Sequence, residues 1–459
     1  MLIDSPLREA HIAEFRRRLP EHVARLSWSK ERVAEEQQRG LAATLAFAKA
    51  KSPWHRERLR DIDPATFAMR DLGTLPAMTK ADVMDHWDAI VTDPRLTLAK
   101  GNAHIVAKPH HEAESLYYLD EYEIFATGGS SGKRGVFIWD WPEFIEIACV
   151  SCRYQARDES NESLTGRRCL AVIEAGETVH GSLFLFTVSP DPDAEVISLP
   201  AATQKDALVA ALNQAQPTHI NAFASAINLL AGEALAGRLT IRPRHISTNS
   251  EPLLPETRDQ AREVWGVEIN NVWGCVEVGL IGVECDAHKG LHLTDDLIIT
   301  EFVDGDGAPV SDPEAVEKVL VTSLYNRAMP LIRYEVTDLA IPTSEPCTCG
   351  SPFPLLKDVR GRADDGFRYG EAIIHPLVFR TPLGQHPMVE EYQVHQTADG
   401  ADIAIVTRGA VDLDRLTADL VADVSAAGLA NPRITLSTVD ALKRHAETGK
   451  LKRFIPLKA

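Results

Sequence analysis

The sequence predicts an α/β protein with two parts: a large N-terminal domain of layered helices and strands, containing a β-rich subdomain, and a small α+β C-terminal domain. Three observations predict it. Between about residues 120 and 340, short strand-like runs alternate with amphipathic helical ones, the pattern of helices layered on a largely parallel sheet. From 296 to 340 the alternation gives way to LIITEFVD, EKVLVTSLY and PLIRYEVTDLA, with GDG at 305–307 as a turn signal. After VRGRADDG (359–366) the pattern resets to a hairpin, a helix and a strand. We place the domains at 1–361 and 362–459.

The elements follow in order. Residues 1–95 read as helical; Val33, Leu41, Leu45 and Ala48 share a face, and SPW at 52–54 stops that helix. CLAVIEA (169–175), AEVISLP (194–200) and THINAFA (218–224) read as strands, and KDALVAALNQA (205–215) and PETRDQAREVWG (255–266) as helices. In the C-terminal part, YQVHQT and ADIAIVTRG form a hairpin. DLDRLTADLVADVSAAG follows as a helix with Leu413, Leu416, Leu420 and Val424 on one face and Gly428 as its stop, and RITLSTVDAL is a strand.

A chain of 459 residues exceeds one compact core. A net charge of −18 argues against a nucleic-acid or anionic-membrane surface. The opening MLIDSPLREAHIAEF is charged and lacks an apolar centre, so no secretory signal is expected. The apolar stretches fall short of a membrane span. Seven cysteines without such a signal read as reduced thiols in a cytoplasmic protein, with metal ligands among them. Cys149 and Cys152, although spaced C-x₂-C, end a helical run and read as core.

One loop carries chemistry on its own terms. ATGGSSGKRG (126–135) combines glycines that let backbone N–H groups converge on an anion, hydroxyl donors and a lysine charge. It has neither the spacing of a Walker A loop nor the G-x-G-x-x-G order. Alone it reads as a phosphate loop or as a plain turn.

Other stretches decide between the two. GGSSGK, STNSEP (247–252), NNVWGCVEVG (270–279), LIRYEVTD (331–338), GRADD (361–365) and GKLKRF (449–454) occur in an order that resembles the adenylate-forming superfamily of acyl- and aryl-CoA synthetases, most of all the phenylacetate–CoA ligase type. ATLAFAKAKSPWHRERL, LPAMTKADVMDHWD and CDAHKGLHLTDD followed by CTCG extend the resemblance over nearly the whole chain.

The resemblance implies a role for each matching residue. Thr127, Ser130, Ser131, Gly132 and Lys133 match the loop over the β- and γ-phosphates of ATP. Ser250, Glu251 and Pro252 match the segment lining the adenine, with Asn271 and Trp273 as its other wall; Trp273 replaces the usual Tyr and keeps an aromatic face. Glu277 matches the carboxylate that binds Mg²⁺, Asp338 the acceptor of both ribose hydroxyls, and Arg362 the arginine near ribose and phosphates. Asp364 matches the hinge of a mobile C-terminal lid, and Lys450 the lysine that stabilises charge during adenylation, with Lys452 as the fallback. Val276 departs from the family's Thr and removes a hydroxyl that would reach the α-phosphate. Phe223 and Ala224, in NAFASA, match an acyl-pocket segment, and SLFLFTV (182–188) is either a further aromatic wall or a buried strand.

Cys285, His288, His292, Cys347 and Cys349 lie in two loops and carry donors that suit tetrahedral zinc. The GLH of the family pattern selects His292 over His288 beside Cys285, Cys347 and Cys349.

The implied function is ATP-dependent activation of a carboxylic acid, aromatic by family, as an acyl-adenylate, followed by transfer to coenzyme A. The active site is expected between the large domain and the lid, and a homodimer suits the family. Two alternatives stand beside it: the same adenylation with an amine, a carrier-protein thiol or an inorganic nucleophile such as nitrite as acceptor, and a catalytically silent nucleotide-binding homologue.

Overall fold

The computed structural model describes residues 6–107, 117–127, 135–157, 169–174, 195–362, 366–370, 372–374, 376–384, 386, 388–444 and 449–457. The chain folds as two compact units: residues 1–168, 175–196 and 270–359 form the first, and 169–174, 197–269 and 360–459 the second.

The first unit opens with helices Pro6–Arg25 and Lys30–Lys51. The second of these buries the expected face, Val33, Leu41, Leu45 and Ala48, and stops at Ser52, whose hydroxyl caps the following short helix Pro53–Arg58. Strands Tyr122–Ala126 and Val136–Asp140 pair antiparallel, with Ala126 opposite Val136, so the glycine-rich stretch joins the two arms of a hairpin. Phe125, Trp139 and Phe144 form an aromatic cluster between this hairpin and helix Trp141–Arg157, in which Cys149 is buried as expected.

A three-stranded antiparallel sheet and five strands of a nine-stranded sheet complete the unit. Ile298–Val303, Lys318–Ser323 and Tyr334–Val336 form one. In the other, Asp338–Thr343, Leu355–Arg362, Leu291–Leu293, Gly279–Glu284 and Ile269–Cys275 lie side by side in that order.

In the second unit, strands Cys169–Glu174, His219–Phe223 and His245–Asn249 pair in parallel. Helices Lys205–Ala215 and Ala224–Leu235 lie in the crossovers between them, and Pro255–Trp265 follows the last strand and ends at Gly266 in the left-handed conformation. The residues after 366 build a four-stranded sheet in the order Arg433–Thr438, Gly400–Thr407, Val389–Gln396, Phe454–Ile455. Helix Leu413–Ala426 lays Leu416, Leu420 and Val424 on its core and is capped by Asp412.

The expected α/β architecture is present. The sheet is less parallel than the alternation predicts. Parallel neighbours need a crossover of a dozen or more residues, and the strands between 270 and 300 are joined by turns too short for one, so they pair antiparallel. The segment SLFLFTV lies outside the described residues.

Candidate active site

The first unit carries Thr127, Asn271, Trp273, Glu277 and Asp338. Thr127 closes the base of the glycine-rich hairpin: its N–H donates to the Gly135 carbonyl (2.9 Å), and its Oγ1 accepts from the Gly135 N–H (2.9 Å). Ser130, Ser131, Gly132 and Lys133 lie outside the described residues. A residue without an assigned role joins the loop. Lys80 opens a short helix whose N-cap, Thr79, forms a capping box with Asp82, and its Nζ donates to Thr127 Oγ1 at 2.7 Å. A Cβ on Gly135 would lie 2.7 Å from the Lys80 Cε, so the glycine makes room for this lysine. The signal for it in the sequence is TKAD, a capping box from Thr79 to Asp82 that encloses Lys80.

Trp273 and Asp338 meet directly. The indole Nε1 donates to Asp338 Oδ2 at 2.9 Å, which fixes both the ring and the carboxylate. Asn271 donates its N–H to the buried Glu284 carboxylate at 2.9 Å. Glu277 sits in the turn between Ile269–Cys275 and Gly279–Glu284, is 9% exposed, and accepts from the Tyr334 hydroxyl at 3.4 Å. One hard, buried carboxylate oxygen suits a magnesium ion that takes its other ligands from phosphates and water.

Val276 has a structural account. Its carbonyl accepts from Trp139 Nε1 (3.0 Å), and its side chain packs against the aromatic cluster of the hairpin. The turn is therefore pinned through its backbone and an apolar contact.

The second unit carries Phe223, Ala224, Ser250, Glu251, Pro252 and Lys450. Phe223 and Asn249 are register partners at the C-terminal ends of adjacent parallel strands, where ligands of open α/β sheets bind. Ser250 turns the chain with φ of +64°. Glu251 Oε2 accepts from the Ser225 N–H (2.9 Å), and its Oε1 from the Leu451 N–H (3.1 Å). Lys450 Nζ stands 5.2 Å from the Phe223 ring centroid, a cation–π distance. Pro252 is exposed and Ala224 buried. Arg362 ends strand Leu355–Arg362, and Asp364 lies outside the described residues.

The donor atoms of Cys285, His292, Cys347 and Cys349 all lie within 4.8 Å of one another. Cys285 Sγ is 3.6 Å from Cys347 Sγ, and Cys349 Sγ is 3.2 Å from His292 Nε2. Bonds of about 2.1–2.3 Å to a tetrahedral zinc place neighbouring donors roughly 3.5–3.8 Å apart, so the set fits that ion. His292 Nδ1 donates to the Phe353 carbonyl (2.9 Å), which leaves Nε2 as the ligand atom. His288 is not in the cluster; its Nδ1 is 3.7 Å from Glu284 Oε1. Helix Trp141–Arg157 backs the cluster: Tyr154 stacks on His292 at 5.2 Å, and Arg157 donates to the Cys349 carbonyl at 3.1 Å.

The fold is that of the acyl-CoA ligases. The chain superposes on solved 2-hydroxyisobutyryl-CoA ligase in its postadenylation state with 2-HIB-AMP (TM-score 0.73, 17% identity), covering 95% of this chain and 91% of that one. It matches the anthranilate CoA ligase AuaEII with anthranoyl-AMP at a TM-score of 0.53 and 16% identity, over 72% of this chain and 65% of the other. In sequence it is 25% identical over 389 residues to the phenylacetate-coenzyme A ligase of Thermus thermophilus, covering 81% of this chain and 80% of the relative. The resemblance drawn from the motifs is borne out by that relative. No family model matches.

Proposed function

We propose that this protein activates a carboxylic acid with ATP and transfers the acyl group to coenzyme A. A carboxylate oxygen of the acid bonds to the α-phosphorus while the bond from that phosphorus to the bridging oxygen breaks, releasing pyrophosphate. The coenzyme A sulfur then bonds to the acyl carbon as AMP leaves with the electron pair, and the thiol proton passes to solvent. No covalent enzyme intermediate is needed, so catalysis is positioning and charge stabilisation.

The observation that carries this reading is Lys450 held over Phe223, beside Glu251, at the C-terminal ends of the parallel strands. An ammonium there meets the charge that develops on the acid and α-phosphate. Asp338, oriented by Trp273, accepts the ribose hydroxyls; Asn271, Trp273, Ser250, Glu251 and Pro252 line the adenine; Arg362 serves ribose and phosphates. Thr127, Ser130, Ser131, Gly132 and Lys133 hold the terminal phosphates. Phe223 and Ala224 line the acyl pocket. Glu277 would hold Mg²⁺, which offsets phosphate charge when bound. Cys285, His292, Cys347 and Cys349 would hold a structural Zn²⁺. Residues 362–459 form a lid hinged at Asp364.

The sequence relative bears on substrate class: it is named for phenylacetate, so an aromatic acid is our first choice. A homodimer and a cytoplasmic location belong to the same reading; no helix among the described residues is long and apolar enough to cross a membrane.

The test is pyrophosphate release from Mg·ATP against a panel of aryl and aliphatic acids, with and without coenzyme A. Release with one acid class, and AMP release only with coenzyme A, is the expected result. Pyrophosphate release indifferent to coenzyme A would move the acceptor to another nucleophile. No release with any acid would sink the reading.

A further inference from the structure

The backbone on both sides of the lysine proposed for adenylation is tied to the rest of the second unit. Among the described residues, its flanking neighbours Gly449 and Leu451 are both anchored. Gly449 has φ of +66°, and a Cβ there would lie 2.7 Å from the Ala202 backbone nitrogen, so the chain presses on that loop without a side chain. Leu451 is held through its N–H by Glu251 (3.1 Å). The other oxygen of the same carboxylate accepts from Ser225 N–H (2.9 Å), in the first turn of helix Ala224–Leu235. The N-cap of that helix, Phe223, makes no side-chain capping bond, so Glu251 supplies the cap and complements the helix dipole.

Arg444 completes the arrangement. One of its terminal nitrogens reaches the Ser225 hydroxyl (3.1 Å) and the Gly449 carbonyl (3.4 Å), and the other donates to the Glu391 carboxylate. Ser225 is fully buried and the Glu391 side chain is 9% exposed, while the Arg444 side chain keeps 22% exposure, so these bonds are partly shielded from water. A planar guanidinium can serve three acceptors from fixed directions; an ammonium at the same place cannot. Arg444 is thus tied at once to the helix that starts at the acyl-pocket residues, to the peptide preceding Lys450, and to the sheet strand Val389–Gln396.

We infer that Arg444 is a positioning residue for the adenylation half-reaction. Its guanidinium bridges the Gly449 carbonyl and the Ser225 hydroxyl and thereby fixes where the Lys450 ammonium stands relative to Phe223. This rests on the ligase reading given above. It deepens it by separating two demands on one chain: the lysine must be fixed while the acid oxygen bonds to the α-phosphorus and pyrophosphate leaves. It has no part when the coenzyme A sulfur displaces AMP. Arg444 touches neither reacting group, and its effect is transmitted through the 449–451 backbone.

The experiment compares the full-length wild type with Arg444→Ala, Arg444→Lys and Ser225→Ala. Two rates are read separately: pyrophosphate release from Mg·ATP with the best acid of the panel, and thioester formation from supplied acyl-adenylate and coenzyme A. The Tm of each variant is measured alongside. For Arg444→Ala the adenylation kcat falls about 10- to 100-fold, the range expected for loss of alignment of one catalytic group, while KM for ATP is unchanged. Thioester formation from acyl-adenylate stays within about twofold of wild type, since uncoupled steps do not share the loss. Arg444→Lys recovers only part of the rate, and Ser225→Ala lowers adenylation in the same direction. Equal losses in both half-reactions, or an adenylation rate untouched by Arg444→Ala, would overturn the assignment. A wild type that releases no pyrophosphate with any acid overturns the ligase reading itself, and is seen before any variant is compared.

Discussion

At the scale of single residues, burial decides how several groups behave. His55, in the short helix Pro53–Arg58, has Nε2 at 2.9 Å from the Pro330 carbonyl, so it donates there. Its Nδ1 has no partner. Burial, with the nearby Arg58 charge, pushes its pKa down to about 3. Burial also lowers His11, to about 4. The unfolded chain therefore takes up a proton near pH 6.5 that the native His55 refuses until about pH 3. Stability from this residue is intact above pH 6.5 and is lost as pH falls toward 3. At pH 5 the loss is about 2 kcal/mol by linkage. Urea titrations of wild type and His55→Gln at pH 7.5 and 5.0 check this. Glutamine keeps a donor for Pro330, so the variant should lose less stability on acidification. Equal losses in the two proteins would refute it.

At the scale of elements, the cysteine and histidine cluster links three pieces of the first unit. Cys285 follows strand Gly279–Glu284, His292 lies in Leu291–Leu293, and Cys347 and Cys349 occupy the loop before Leu355–Arg362. Helix Trp141–Arg157 leans on the cluster through Tyr154 and Arg157. Turns of this length bury little apolar surface, so a bound ion would supply much of their order. Protein purified without chelator should contain one zinc per chain. Cys349→Ser should lose the metal and lower Tm, whereas His288→Ala should keep it. Metal analysis and thermal melts decide; a zinc-free wild type with unchanged Tm in chelator would remove the metal from the reading.

At the scale of the whole molecule, one buried ion pair ties distant parts of the first unit. Arg153 donates to both oxygens of Asp296 (3.0 and 2.8 Å), and neither side chain is exposed. Arg25, from the N-terminal helix, reaches the same carboxylate at 3.1 Å. Burial acts to raise the Asp296 carboxyl, but the Arg153 and Arg25 charges outweigh it and hold it below its ordinary value. The Arg153 guanidinium also lies 4.5 Å from the Phe353 ring centroid. Asp296→Asn would strand a buried guanidinium and should cost about 3–5 kcal/mol in a denaturant titration. A cost under about 1 kcal/mol would mean that water reaches Arg153.

The sequence by itself determined the periodic elements and the motif order. Helix 205–215, the strand at 219–223 and the helix from Leu413 are legible because burial imposes a period of 3.6 or 2 on local composition. The cysteine cluster was legible because soft ligands are rare and their spacing is short. Only the tertiary structure decided that the strands after 269 pair antiparallel, that Trp273 rests on Asp338 across 65 positions, and that Lys80 reaches Thr127 across 47. It alone joined Arg444 to Ser225 and Gly449. A hydrogen bond between residues far apart in the chain leaves no period in the sequence; it is set by where packing brings two backbones, and single positions carry no trace of that meeting.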